Sequence, residues 1–190
     1  MRIAVIGGIG SGKSEVMKIA KEKGIFCVSA DEINARLLQT PSYIGKIAEV
    51  FPSAVKDGAI NKKALASIVF ADEDKRKLLN SIAHPEIMAE IRGCNQSPLA
   101  VELPLYIEGG DRDFDETVLV KTPLILRIKR LKKRGLTAKD AVARIKSQPS
   151  TRALQKYATR VIYNGKDLQN LQECARIMFD DILKKQQNEK

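Results

Sequence analysis

Tryptophan is absent from the 190-residue sequence, histidine occurs once, and aromatic residues make up only 5% of the chain. Because nucleic-acid-binding modules commonly stack bases on aromatic side chains, this scarcity argues against such a function. The three cysteines are scattered without the spacing of a metal site, which favours a reduced, cytosolic compartment. No apolar run approaches the about 20 residues that span a bilayer, and the N-terminal segment has the pattern of a core strand rather than of a targeting signal.

The overall composition is that of an ordinary globular protein, with 44% apolar and 29% charged residues. A chain of 190 residues is long enough for one domain with a substantial core. The net charge of +10 is uneven, because residues 121–190 contain 18 Lys and Arg but only 6 Asp and Glu. This basic C-terminal third suits a polyanionic substrate, although a solvated helix surface or a nucleic-acid partner would carry the same charge.

The most informative feature is a glycine-rich segment, Gly7–Ser14, that directly follows the apolar run Ile3–Ile6. Its spacing, G-x-x-x-x-G-K-S, is that of a P-loop, whose turned backbone amides surround nucleotide phosphates. In this pattern Lys13 bridges the β- and γ-phosphates, and the Ser14 hydroxyl is a ligand of Mg²⁺. The sequence therefore predicts a nucleoside triphosphate site formed by Gly8, Ile9, Gly10, Ser11, Gly12, Lys13, Ser14 and Glu15.

The hydrophobic pattern predicts an α/β protein with a three-layer α/β/α parallel sheet. Further strands are predicted at 25–28, 99–103, 117–120 and 161–163, and helices at 124–134, 137–147 and 168–184. Residues 31–94 are predicted to be mostly helical, with interruptions at Pro41, Pro52, Pro85 and the Asp57-Gly58 pair. This is too much helix for one crossover connection, which indicates a helical insertion that covers a substrate.

Three side chains outside the P-loop are candidate functional residues with a structural alternative. Asp31 follows the second predicted strand, at the sheet edge where ligands bind, so it is either a base for an attacking hydroxyl or a helix N-cap. Arg36 is either a substrate clamp or a solvated helix charge. His84 precedes a proline, where a structural role is the more common one.

The segment Lys129–Arg134 has five basic residues among its six, and Arg144 follows on the next predicted helix. Such a segment could close over a triphosphate and exclude water. An arginine within it would stabilise the charge of a transferring phosphoryl group. The alternative is a charged helix face, which applies to some of these residues in any case.

Together these motifs resemble the dephospho-coenzyme A kinases over nearly the full chain. The specific part is the P-loop variant GGIGSGKS combined with Ala30-Asp31 and Ala35-Arg36. The weaker matching elements are His84-Pro85, Pro104-Leu105 with Glu108, a lid from Arg130 through Arg134-Gly135 to Arg144-Ile145 and Gln148, and Val161-Ile162 with Asn164-Gly165.

The resemblance implies transfer of the γ-phosphoryl group of ATP to the ribose 3′-hydroxyl of dephospho-CoA, with Mg²⁺ as cofactor. It implies that Asp31 is the base. The transferring group would be stabilised by Lys13 and by an arginine of the lid, with Arg134 preferred over Arg130 and Arg144. The protein would be a cytoplasmic monomer or small homo-oligomer without a membrane or nucleic-acid partner.

The resemblance also implies where the two substrates bind. The nucleotide-binding core would comprise about 1–35, 96–127 and 151–190, with an acceptor-binding insertion at about 36–95 and the lid at about 128–150. Asn164 and Gly165 would lie near the adenine of ATP. The residues implied for the dephospho-CoA site are Asp31, Arg36, His84, Pro104, Leu105 and Glu108.

Four positions depart from the family's pattern and argue against an orthodox environment for Mg²⁺. Ile6 and Ser29 stand where a threonine and the first aspartate of a D-A-D triplet are usual, and Lys121 and Thr159 stand where aspartates are common. Glu102 is a candidate for a water-mediated metal contact, or else a surface residue at a strand's edge. The alternatives are a nucleoside or nucleotide monophosphate kinase, against which A-D-x-x-x-A-R and H-P argue, and a nucleotide-binding regulator without turnover.

Overall fold

The computed structural model describes residues 1–104 and 113–188. The strands are β1 (Arg2–Ile6), β2 (Phe26–Ser29), β3 (Val55–Lys56), β4 (Ala59–Ile60), β5 (Leu99–Leu103), β6 (Glu116–Lys121) and β7 (Arg160–Tyr163). The helices are α1 (Lys13–Glu22), α2 (Ala30–Leu37), α3 (Pro41–Val50), α4 (Lys62–Ala71), α5 (Glu73–Gly93), α6 (Leu124–Lys133), α7 (Ala138–Lys146), α8 (Thr151–Gln155) and α9 (Leu168–Asn188).

A parallel five-stranded sheet in the order β2-β5-β1-β6-β7 organises the first of two compact units, Met1–Ser29 with Gln96–Lys190. Helices lie on both sides of this sheet. The four residues Ile3–Ile6 of β1 are fully buried, because parallel strands are covered on both faces. The predicted three-layer α/β/α fold is therefore confirmed.

The apolar faces of α1 and α9 pack together on the sheet and form the main core of this unit. Val16 and Ile19 of α1 meet Phe179 and Ile182 of α9, and all four are almost completely buried. This packing fixes the start of α1, and with it the loop that joins β1 to α1.

The second unit, Ala30–Asn95, has a helical core of its own. Helix α5 packs against α2, α3 and α4 around a set of buried side chains that includes Ile33, Leu37, Tyr43, Ile47, Leu65, Ile87 and Ile91. None of the helices in the described part of the chain is long and apolar enough to cross a membrane.

Two features of the local structure, Pro85 and residues 151–155, differ from the prediction, whereas the interruption predicted at Asp57-Gly58 is present as a hairpin turn. Pro85 does not interrupt a helix but lies inside the 21-residue α5, whose packing offsets the lost hydrogen bond. The Asp57-Gly58 pair joins β3 to β4 in a hairpin, and the positive φ of both residues matches a type I′ turn. Residues 151–155, for which no helix was predicted, form α8.

Candidate active site

The loop Gly7–Gly12 leads from the carboxyl end of β1 into the N-terminus of α1. Gly10 and Gly12 have φ angles of 76° and 100°, which residues with a Cβ rarely adopt. A Cβ on Gly12 would also lie 2.5 Å from Nδ2 of Asn164. Both glycines are therefore required by the backbone conformation of the turn, and Gly12 also by the side chain of Asn164.

Lys13 and Ser14 begin α1 directly after this loop. The ammonium of Lys13, a residue only 7% exposed, donates to the carbonyl oxygen of Gly7 at 2.7 Å. The Ser14 hydroxyl is exposed and donates to Oε1 of Glu102, on β5, at 3.4 Å. The loop thus presents a cation at one side and, at the other, a hydroxyl beside a carboxylate.

Side-chain donors hold the carbonyl oxygens at the end of the loop. The Ser11 carbonyl accepts hydrogen bonds from the Thr122 hydroxyl at 2.8 Å and from Nδ2 of Asn164 at 2.7 Å. Nη1 of Arg130 donates to the carbonyls of Gly10 and Ser11 at 3.2 and 3.3 Å. Its Nη2 donates to Oδ1 of Asn164 at 3.0 Å, which ties α6 to the turn after β7.

These contacts determine where the amides of the loop point. In a trans peptide the C=O of one residue and the N–H of the next are antiparallel. Because the carbonyl of Ser11 is held by donors from α6 and from Asn164, the N–H of Gly12 points the opposite way. The N–H groups of Gly10 and Gly12 donate no hydrogen bond to any of the described residues, so the loop presents these amides to an anion.

Two arginines of α6, the buried Arg127 and the half-buried Arg130, add positive charge next to these amides. Burial lowers the pKa of Arg127, and burial together with the charge of Arg134 lowers the pKa of Arg130. Within residues 1–104 and 113–188, both guanidinium groups bond only to neutral carbonyl and amide oxygens. Buried charges are normally paired, so this uncompensated positive charge favours a polyanionic ligand at the loop.

The other candidate residues of this unit belong to elements outside the loop. Arg134 follows α6 and Arg144 is in the last turn of α7, and both are exposed. Gly165 leaves no room for a side chain, because a Cβ there would lie 2.3 Å from the ring of Tyr163. Pro104 follows the last residue of β5. Leu105 and Glu108 lie outside the described residues.

The remaining candidates belong to the helical unit. Asp31 is exposed in the first turn of α2, which begins at Ala30, so it does not precede the helix as an N-cap would. Arg36 forms a 3.8 Å ion pair with Glu90. His84 is half-buried within α5.

Sequence reasoning missed two side chains that contact the loop, Thr122 and Arg127. Arg127 is 7% exposed and donates from Nε to the carbonyl of Ile9 at 2.9 Å. The spacing of Arg127, Arg130 and Arg134 by three and four residues was a partial signal, because it groups them on one helical face without marking which of them contacts the loop. Thr122 gave no comparable signal, because a threonine after a strand is common in any α/β protein.

A family model described as dephospho-CoA kinase matches residues 1–170. A dephospho-CoA kinase from Dehalococcoides mccartyi is 34% identical over 192 residues, with 95% of this chain and 97% of the relative covered. One from Corynebacterium glutamicum is 36% identical over 196 residues, covering 96% and 98%. The chain belongs to the dephospho-CoA kinase family.

Solved structures agree with this membership. A crystal structure from Thermus thermophilus is 30% identical with a TM-score of 0.79, covering 95% of this chain and 97% of the other. The dephospho-CoA kinase of Campylobacter jejuni is 26% identical with a TM-score of 0.72, covering 97% and 98%. A shikimate kinase from Acinetobacter baumannii, 16% identical with a TM-score of 0.59, shares the fold alone. The chain is therefore a kinase, as the sequence predicted.

One departure from the family's pattern, Thr159, and the metal-contact candidate Glu102 now have a structural context. Thr159 precedes β7, at the end of the sheet opposite the P-loop, where its hydroxyl donates to Glu116 at 2.5 Å and accepts from the Thr117 amide. It is thus part of the sheet's own hydrogen bonding. Glu102 lies on β5, between β2 and β1, one residue before the end of that strand.

Proposed function

We propose that this chain transfers the γ-phosphoryl group of ATP to the ribose 3′-hydroxyl of dephospho-CoA, giving coenzyme A and ADP. The observation that carries the proposal is the P-loop of a dephospho-CoA kinase family member, backed by two arginines, one buried and one half-buried, whose charge no carboxylate balances in the described residues. Such a site is complementary to the charge of a triphosphate and to the charge on a transferring phosphoryl group.

Lys13 and the free loop amides would bind the β- and γ-phosphates. Lys13 is supported by its burial at the mouth of the loop, where its ammonium is held by the Gly7 carbonyl until an anion competes for it. Arg134 and Arg144, both exposed, would add their charge to the transferring group. Asn164 and Gly165 would border the adenine, at the turn whose amide side chain already bonds to the loop.

Mg²⁺ fits the oxygen groups of the site. The Ser14 hydroxyl would be a direct ligand, and the Glu102 carboxylate, 3.4 Å away, would be reached through a water. Both are the hard oxygen donors that this ion prefers. When bound, Mg²⁺ would neutralise phosphate charge and orient the phosphates.

Asp31 would accept the proton of the attacking 3′-hydroxyl. The proposal is supported by its exposure and by its place two residues after β2, a strand of the P-loop's own sheet. The helical unit would hold dephospho-CoA through Arg36 and His84, with Pro104, Leu105 and Glu108 contributed from the segment after β5. The lid would be about 128–150.

A coupled assay of ADP release tests the reaction, with dephospho-CoA, AMP and adenosine offered in turn at the same Mg²⁺ concentration. We expect turnover with dephospho-CoA and little with AMP or adenosine, which also tests the monophosphate-kinase alternative. ATP binding without ADP release from dephospho-CoA would overturn the proposal and favour a nucleotide-binding regulator.

Asp31→Asn tests the base, with Glu32→Gln, the next carboxylate of the same helical turn, as the matched control. Loss of the general base typically costs 10²- to 10⁴-fold, so we expect about that loss in kcat with ATP affinity changed less than about twofold. The control is expected to retain activity. Equal losses of kcat and ATP affinity in Asp31→Asn would make Asp31 a structural residue.

We further propose a cytoplasmic monomer or small homo-oligomer whose substrates are ATP and dephospho-CoA. The three cysteines are free thiols, as expected in a reducing compartment. Light scattering of the purified protein measures its oligomeric state.

A further inference from the structure

Ile9 is the third residue of the loop Gly7–Gly12. Both of its backbone polar groups are hydrogen-bonded to side chains that lie far away in the sequence. Its N–H donates to Oε1 of Gln148 at 2.7 Å. Its C=O accepts from Nε of Arg127 at 2.9 Å. Gln148 follows the end of α7 and Arg127 lies in α6, so two separate elements hold one residue of the loop.

The Arg127 contact is built into the packing of the loop. The side chain is almost completely buried, and a Cβ on Gly8 would lie only 2.2 Å from its Nη2. The sequence therefore leaves position 8 without a side chain where the guanidinium group passes. An exposed arginine that merely lay near the loop would need no such space.

Because a trans peptide is planar, each of these two contacts also sets the direction of the other polar group in the same peptide. The Ile9 carbonyl and the Gly10 N–H belong to one trans peptide, so Arg127 sets the direction in which the Gly10 N–H points. The peptide that joins Gly8 to Ile9 is held at both of its polar groups. Its N–H, that of Ile9, donates to Gln148, and its carbonyl, that of Gly8, accepts from the Ser11 amide at 3.1 Å. The peptides before and after Ile9 are therefore both fixed in orientation.

We propose that Arg127 and Gln148 are positioning residues that preorganise the P-loop for ATP through Ile9. Arg127 directs the Gly10 amide toward the phosphates. Gln148 accepts the hydrogen bond of the Ile9 N–H and so connects the end of α7 to the loop. The last turn of α7 carries Arg144. This role rests on the proposed function, since it concerns the same nucleotide site. Neither residue is expected to touch the acceptor.

ATP affinity and steady-state kinetics test the role in Gln148→Met and Arg127→Met, which keep side-chain bulk but remove the hydrogen bonds. Losing one such bond is worth about threefold to tenfold, so we expect KM and Kd for ATP to rise by that factor in Gln148→Met while its kcat at saturating ATP changes less than about twofold. In Arg127→Met we expect a larger rise in KM and Kd, because that variant also loses a positive charge beside the loop. Arg127→Lys, which keeps a donor, is expected to recover part of the loss. The matched controls are Gln155→Met and Arg152→Met on α8, which are expected to bind ATP as the wild type does.

Amide exchange of Ile9, followed by NMR without any nucleotide, provides a readout that does not depend on the reaction. We expect the Ile9 N–H to exchange at least about fivefold faster in Gln148→Met and at the wild-type rate in Gln148→Glu, whose carboxylate still accepts the bond. Unchanged exchange in Gln148→Met, or ATP affinity equal to that of the controls, would overturn the proposal. Because exchange and ATP binding are measured without dephospho-CoA, failure of the proposed acceptor would leave this test intact. Gln148 is only half-buried, so the test does not depend on Arg127→Met folding.

Discussion

Ser11 has one hydrogen-bonded polar atom, its carbonyl oxygen, and one without a hydrogen bond, its hydroxyl oxygen. It therefore tests which hydrogen bonds stabilise the P-loop. Its carbonyl accepts from Thr122, Arg130 and Asn164, whereas its buried hydroxyl has no partner in the described structure. We expect Ser11→Ala to leave the free energy of unfolding unchanged or to raise it by up to about 1 kcal/mol, because it removes a buried group without a hydrogen bond.

Thr122→Val is the matched comparison, because it removes a donor to the same residue with almost no change in volume. We expect it to lower the free energy of unfolding by about 1 kcal/mol. Urea unfolding of both variants measures the difference. If Ser11→Ala proved as destabilising as Thr122→Val, the hydroxyl would have a hydrogen bond in solution.

At the scale of single residues, local sequence signals predicted the P-loop but not the side chains that donate hydrogen bonds to its carbonyl oxygens. The positive φ angles of Gly10 and Gly12 follow from a motif contained in eight residues. The hydrogen bond from Arg127 joins residues 118 positions apart, and no local pattern distinguishes that arginine from its exposed neighbours on α6. The partners of the loop could be predicted only once the sheet order had placed α6 beside it.

Helix α3 offers a test of backbone conformation at the scale of an element. Gly45 lies within the helix, and a Cβ there would meet no atom within 4 Å. We expect Gly45→Ala to raise the free energy of unfolding by about 0.5–1 kcal/mol, since alanine loses less backbone entropy in a helix. Thermal or urea unfolding measures the change.

Gly58, in the same helical unit, is the control for Gly45, because it also has room for a Cβ but has a different backbone conformation. A Cβ there would also meet nothing within 4 Å, but its φ of 72° belongs to the hairpin turn between β3 and β4. We expect Gly58→Ala to lower the free energy of unfolding by about 1 kcal/mol. Equal effects of the two variants would mean that backbone conformation does not decide the outcome.

The contact between α2 and α3 predicts an alkaline pH dependence of stability. Tyr43 is buried and donates to Oδ1 of Asn34 at 3.2 Å. Burial, with a contribution from the charge of Glu86, raises the pKa of Tyr43 from 10.0 to about 12. Below pH 10 the phenol is protonated in both states, whereas between about 10 and 12 only the unfolded chain loses the proton. The stabilisation is therefore full below pH 10 and is lost as the pH rises toward 12.

Urea unfolding of the wild type and of Tyr43→Phe at about pH 9, 10 and 11 measures this dependence. We expect the wild type to be the more stable protein at pH 9, because the variant lacks the bond to Asn34. The difference is expected to shrink by pH 11, since only the wild type has this titrating group. Parallel losses of stability in the two proteins would contradict the raised pKa of Tyr43.

Elements differ in how well the sequence predicted them, for physical reasons. The strands at 99–103 and 160–163 are short apolar segments with clear ends, and the structure confirms both within one residue. Pro85 was misleading, because the energetic cost of a proline inside α5 is offset by the contacts of that helix with α2, α3 and α4. The hairpin at 55–60 has two strands of only two residues each, which is too short for a strand pattern in the sequence, although its Asp-Gly turn is a local signal.

For the whole molecule, binding of ATP should appear as added stability, because a ligand that binds only the native state raises the free energy of unfolding by mass action. At a free ATP concentration about 100 times Kd, the increase is about 2.7 kcal/mol. For a chain of this size that corresponds to an increase in Tm of about 5–10 °C. Differential scanning calorimetry with and without ATP and Mg²⁺ measures the shift.

Lys13→Ala separates the nucleotide effect from the intrinsic stability of the protein. Without nucleotide, the variant loses the contacts of the Lys13 side chain, which include the hydrogen bond to the Gly7 carbonyl, so its Tm is expected to stay within about 4 °C of the wild type. At the same ATP concentration its Tm should rise by less than about 2 °C, because the buried cation that faces the phosphates is gone. A shift as large as that of the wild type would mean that ATP binds elsewhere on the chain, and the nucleotide site assigned to the loop would then be wrong.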